Sequence, residues 1–154
     1  VSNYARSAAA ESKHNKSYWR CHDWIGVGPS AHSRFVDPAS GRRVGTVRIP
    51  DTARWMGRCE EVGHGTAKIE VVEEDQVRQE AVVFGLRMAA GIADSRFRQL
   101  SGGLLLREYL RMDAVHALAA QGYLWLAEET SGMRVAPTEA GLAVIDSILL
   151  DILP

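Results

Sequence analysis

An α+β fold in two parts is what the sequence predicts, and three observations predict it. Residues 1–50 are rich in Gly, Ser, Pro, His and aromatics, whereas residues 51–154 carry longer helical periodicity and fewer breakers. In the second part, Val77, Ala81, Phe84 and Met88 recur at i, i+4, i+7 and i+11, one face of an amphipathic helix. Finally, two short apolar runs, Tyr123 to Ala127 and Met133 to Ala136, flank Thr130-Ser131-Gly132, the pattern of a hairpin.

In chain order, Asn15 to about His22 reads as a short helix that Ser12 or Asn15 can cap. Trp24 to Val27 reads as an apolar strand running into the forced turn Gly28-Pro29-Ser30. Ser33 to Val36 and Arg43 to Ile49 form a second hairpin around Asp37-Pro38-Ala39-Ser40-Gly41. After Pro50, Asp51 or Thr52 can cap a helix carrying Trp55 and Met56. The helix through Val77 and Met88 is expected to close at Gly91, because glycine tolerates the left-handed conformation of a C-cap. Asp94 is expected to cap a short helix with Phe97 and Leu100, broken by Ser101-Gly102-Gly103. Leu106, Tyr109, Leu110, Ala114 and Leu118 mark a further helix ending at Gln121-Gly122. Past the hairpin, Thr138 caps a last helix with the stripe Leu142, Ile145, Leu149 and Ile152. Helix, helix, hairpin, helix is a winged-helix-like order.

Composition excludes some classes. No apolar run approaches the roughly 20 residues of a membrane span, and a cytoplasmic protein without a membrane span is expected. Net charge is −1, divided as +3 over residues 1–73 and −4 over residues 74–154. Neither half has the basic excess that holds a phosphate backbone, so no nucleic-acid partner is expected. Cys21 and Cys59 stand far apart in a chain without secretory features, which favours free thiols over a disulfide.

Two neighbouring runs are specific. The first is Ser2-Asn3-Tyr4-Ala5, then Glu11, Ser12 and His14-Asn15-Lys16-Ser17-Tyr18-Trp19; the second is Trp24-Ile25-Gly26-Val27-Gly28-Pro29-Ser30-Ala31-His32-Ser33. Together they resemble the oxygen-independent coproporphyrinogen III oxidase-like radical-SAM family, where a short SNYA strand leads to an HNxxYW box and a GxGPxAH loop. Phe84-Gly85-Leu86-Arg87 and the winged segment are similar to the family's C-terminal domain. The HNxxYW box resembles the heme-chaperone branch rather than the oxidase proper. The resemblance implies a C-terminal fragment: residues 1–50 would be the incomplete end of a radical-SAM barrel, and residues 51–154 the family's winged-helix-like C-terminal domain. It also implies that the parent protein holds a 4Fe-4S cluster on a CxxxCxxC motif, with S-adenosylmethionine beside it. This chain's two cysteines cannot supply that motif, so the cluster is expected N-terminal to Val1 and the fragment alone is expected to be inactive.

The implied function of the parent is to bind heme and deliver it to a heme-acceptor protein. Oxidative decarboxylation of coproporphyrinogen III is the alternative, and a winged-helix interaction or DNA-binding module is the reading from another class. His14 is the implied heme-iron ligand, because neutral imidazole is a good axial donor, with Tyr18 and Trp19 flanking the porphyrin. On a helix, His14 and Tyr18 share a face at i, i+4. The bland alternative is a capped helix with core aromatics. Gly26, Gly28, Ala31 and His32 would by resemblance help line the S-adenosylmethionine and substrate region, although Gly and Pro also suit an ordinary turn after a strand. A zinc site from His14, Cys21, His22 and His32 is disfavoured. On one helix, His14 and Cys21 would stand roughly 10.5 Å apart along the axis, too far for one ion with ligands at about 2.0–2.3 Å. In the 106–121 helix, Arg107 and Arg111 are offset by Glu108 and Asp113, and in the wing Glu128 and Glu129 outnumber Arg134. The strand edge of a truncated barrel is exposed, so a homo-oligomer is possible.

Overall fold

The computed structural model describes residues 4–154, and the fold is α+β. The chain forms two compact units, one of Val1–Cys21 with Glu74–Pro154 and one of His22–Glu73. The sequence places a single division after residue 50; the division differs because a strand beyond that point returns to the preceding hairpin, and because the first helix packs with the C-terminal half.

In the larger unit, a single turn at Ala8–Ala10 precedes α1 (Lys13–Trp19). Of the two expected caps, Ser12 is the one used: its hydroxyl accepts from Asn15 N at 3.2 Å. The helix stops at Arg20. Cys21 then takes a left-handed φ of 51° and is buried in the unit's hydrophobic core.

The smaller unit is a three-stranded antiparallel sheet in the order β1-β2-β3, with β1 (His32–Val36), β2 (Arg43–Arg48) and β3 (Thr66–Val71). The expected hairpin is present, running in register from His32 opposite Val47 to Val36 opposite Arg43. Asp37 closes its turn, accepting from the amides of Ala39 and Ser40 and from the Ser40 hydroxyl. The Ser40 hydroxyl, foremost, holds the Asp37 carboxyl below its usual pKa. The Trp24–Val27 run is not a regular strand: Trp24 alone bridges to Arg34, after which Ile25 and Val27 lie exposed. Left-handed Gly28 (φ 103°) and Ser30 (φ 60°) turn the backbone before it can pair further.

Between β2 and β3 lies α2 (Thr52–Val62), capped by Asp51, whose carboxylate accepts from Arg54 N at 2.8 Å. No strand is predicted at 66–71. This segment carries two charges and no buried residue, so it lacks a hydrophobic signature, and backbone pairing to β2 is what holds it.

The rest of the larger unit begins with α3 (Glu74–Gly85), which buries Val77, Ala81 and Val82. The apolar period predicts a helix to Met88 closing at Gly91, but regular α-helix ends at Gly85. Arg87 N and Met88 N bond to the carbonyls of Phe84 and Gly85 in tighter i→i−3 turns. β4 (Ile92–Ala93) follows, then α4 (Asp94–Leu100). The expected helix from Leu106 divides into α5 (Leu106–Tyr109) and α6 (Met112–Ala120), because Leu110 and Arg111 leave helical geometry. The Arg111 amide donates instead to Ile152 O at 2.9 Å. The second hairpin is β5 (Leu124–Glu129) and β6 (Gly132–Pro137), and β4 joins the free side of β6. Thr138 caps as expected, accepting from Gly141 N, but Val144 splits the final helix into α7 (Glu139–Ala143) and α8 (Ile145–Ile152).

Phe97, Leu106, Val115, Val135, Ile145, Ile148 and Ile152 meet in the core between these helices and the β4-β6-β5 sheet. Asp94 is completely buried there. The sequence assigns it to the cap of α4, yet α4 has no side-chain cap bond. Its carboxylate accepts instead from Leu106 N and from Met133 N, both at 2.7 Å. One side chain thus satisfies the first amide of α5 and an amide of β6.

Candidate functional site

The first candidate surface is α1. Its last turn is held by Arg96 of α4, a contact made entirely within the larger unit. Arg96 donates from Nε to Arg20 O at 3.1 Å and from Nη2 to Arg20 O and Cys21 O. Its Nη1 reaches Gln99 Oε1 at 3.1 Å, which orients the guanidinium. A cation on the last carbonyls of a helix supplies the donors that the helix cannot supply itself. Nothing in the sequence flags Arg96, since its partners lie 75 and 76 residues away. Replacing Arg96 by alanine is therefore expected to speed amide hydrogen exchange in Ser17–Cys21 about tenfold, with little change in β5 and β6. Equal protection in wild type and variant would show that the arginine does not hold the helix.

His14 and Tyr18 are brought together. Their rings meet edge to face with centroids 4.6 Å apart, and Tyr18 Oη lies 3.0 Å from His14 Nε2. His14 is exposed to solvent. Trp19 is not part of this pair. Five residues along, it is rotated by about 140° around the axis, and it lines a cavity of about 450 Å³ together with Lys16, Arg20, Arg87, Met88 and Leu142.

The second candidate group lies in the smaller unit. Gly26 is packed too tightly for any side chain, since a Cβ would stand 2.2 Å from His32 O. Its amide donates to Ser33 Oγ at 3.1 Å. Gly28 supplies the positive φ of the turn, Ala31 N bonds to Gly28 O at 3.3 Å, and Ala31 O accepts from Arg48 N. His32 opens β1 and is exposed. Among the described residues, no three His, Cys, Asp or Glu side chains are placed to hold a metal ion. Cys21 and Cys59 are free thiols.

Comparison with known proteins gives these elements a context. Residues 72–144 match the HemN C-terminal domain family, a span that starts two residues before α3. Over the whole chain, identity is 37% to the mitochondrial radical S-adenosyl methionine domain-containing protein 1 of Mus musculus, and it is 37% over 99% of the chain to that of Bos taurus. The chain belongs to the radical-SAM HemN-like family. It spans 34% of the length of those two relatives. A further member of this HemN-like group, the heme chaperone HemW of Bacillus subtilis, is 33% identical over 66% of the chain and 25% of its own length. In structure, the chain resembles the coproporphyrinogen III oxidase HemN of Escherichia coli, described as a radical SAM enzyme. The TM-score is 0.56 over 84% of this chain and 28% of that one, at 17% identity, a likeness of fold. Among the described residues, no helix of this HemN-like chain is long and apolar enough to cross a membrane.

Proposed function

We propose that the parent of this HemN-like chain is a radical-SAM heme chaperone, and that His14 on α1 is an axial ligand for the heme it carries. The observation that carries this reading is the exposed His14–Tyr18 pair in the HNxxYW box, on a helix whose end is fixed by Arg96. The side chains fit a cargo that docks from solvent. Imidazole Nε2 is reached by releasing one hydrogen bond from Tyr18, which can then turn its hydroxyl or ring to the ligand. Similarity to the HemW heme chaperone supports the same reading. A heme-acceptor protein is then the natural partner.

In the whole protein, a 4Fe-4S cluster and S-adenosylmethionine would supply the radical chemistry of the family. Cys21 is buried in the core and Cys59 is alone, so neither belongs to the three thiolates such a cluster needs. The Gly26, Gly28, Ala31 and His32 loop is proposed to face that cofactor and substrate region. Oxidative decarboxylation of coproporphyrinogen is less well supported, because the HNxxYW box favours the chaperone branch. A winged-helix-like reading of α4, α6 and the β5–β6 hairpin accounts for the element order without a nucleic-acid role. Arg107 pairs with Glu128 and Arg134 with Glu129, which engages cations that a phosphate backbone would need.

Hemin titration tests the assignment. His14→Ala is expected to shift the Soret band and weaken binding about tenfold or more, as befits the loss of one iron bond. Cys21→Ser and His32→Ala should behave like wild type. An unchanged spectrum and affinity in His14→Ala would remove His14 from the ligand set, and a change in Cys21→Ser would point to thiolate ligation instead.

A further inference from the structure

The cavity on the Trp19 side of α1 has no part in the heme reading, yet it has the features of a small-molecule site. Its volume of about 450 Å³ lies within the roughly 300–1,000 Å³ typical of such sites. One wall is apolar, with the Trp19 indole, Met88 and Leu142. An indole face favours stacking with a flat aromatic body, and a thioether adapts to its edge.

The charge around the cavity is unbalanced. Lys16, Arg20 and Arg87 line it against the single acid Glu11. Lys16 is paired to Glu11, which leaves an excess of two positive charges from the arginines. Arg87 is only partly engaged. Its Nη2 donates to Asp146 Oδ1 at 3.2 Å, where the Asp146 side chain is 82% exposed, and an ion pair so open to water is weak. Its Nε is buried without a hydrogen-bond partner among the described residues. A buried donor left unmatched is costly, and a small rotation of the guanidinium would present Nε–H and one Nη–H as a fork, the geometry that matches a carboxylate.

From these observations we propose that the cavity binds a planar aromatic carboxylate, stacked on Trp19 with its carboxylate on Arg87. Arg20 adds long-range attraction at the mouth. The site takes a free small molecule, and it is separate from the His14–Tyr18 face of the same helix.

The test is a titration of the chain with 1-pyrenebutyrate, read by energy transfer to pyrene and by equilibrium dialysis, beside the neutral 1-pyrenebutanol. Saturable one-to-one binding of the acid is expected, with the alcohol about tenfold weaker. Arg87→Gln should weaken the acid about tenfold and leave the alcohol unchanged. Asp146→Asn, which releases Arg87 from its exposed partner, should tighten the acid about threefold. Ala89→Trp, which fills the cavity, should abolish binding of both. Equal binding of acid and alcohol, or an acid affinity indifferent to Arg87→Gln, would overturn the proposal, as would undiminished binding in Ala89→Trp. If either of those variants loses its far-UV dichroism, the exposed Asp146→Asn change decides: affinity that fails to rise counts against the site.

Discussion

Replacing Asp94 by alanine is expected to cost about 4 kcal/mol, read as a fall in the urea midpoint of unfolding of the larger unit. The carboxylate is completely buried and holds two amide hydrogens, of Leu106 and of Met133. Alanine would orphan both, at roughly 1–3 kcal/mol each. Water cannot readily replace the lost acceptor, because the surrounding side chains are Phe97, Leu106 and Met133 of the hydrophobic core. Asp94→Asn separates the contributions. An amide keeps the size and one acceptor, but turns a donor toward the other amide, so about half the loss is expected. Gly132 offers an independent check on the geometry, since a Cβ there would stand 2.4 Å from Asp94 Oδ2. A change of less than about 1 kcal/mol in Asp94→Ala would mean that the two bonds do not join α5 to β6.

Gly91→Ala should be nearly as damaging, at about 3 kcal/mol or more, measured in the same way. Two effects combine. The backbone sits at φ 65°, where an L residue with a Cβ is disfavoured by roughly 1–2 kcal/mol. A Cβ would also lie 2.0 Å from Val135 O and 2.5 Å from Ala136 Cα, both backbone atoms of β6 that cannot step aside. Relieving the clash means moving β4 from β6, where Ile92 pairs with Val135. Gly102→Ala is the internal control. Its φ is 74°, but nothing lies within 4 Å of its added Cβ, so only the conformational cost of about 1–2 kcal/mol is expected. Equal losses in the two variants would mean that the close approach to β6 has no energetic weight.

These two residues show where local pattern is and is not sufficient. Gly91 and Asp94 both carry strong local signals, as a helix stop and a helix cap. Both lie next to helix ends, yet neither performs the local task. Each is held by an element some 40 residues further on, and no spacing rule within a window of a few residues can contain that partner. The same reason explains the divided helices. Leu106 to Leu118 has one continuous apolar stripe, but the Arg111 amide bonds to Ile152 O and the helix opens to let it.

On its own, the sequence determined the α+β class, both hairpins, the caps at Ser12, Asp51 and Thr138, and the family resemblance carried by the HNxxYW box and GxGPxAH loop. These are short-range features, written in hydrophobic periods, turn residues and motif spacing, and each is stable enough locally to be read. The tertiary structure alone decided that α1 packs with the C-terminal half, through Cys21 in the core and Arg96 on the last carbonyls. It alone assigned β3, an exposed strand whose order comes from hydrogen bonds to β2 rather than from burial. It also set His14 and Tyr18 on one side of α1 and Trp19 on another, because a helix turns by about 100° per residue and the core fixes which side faces in.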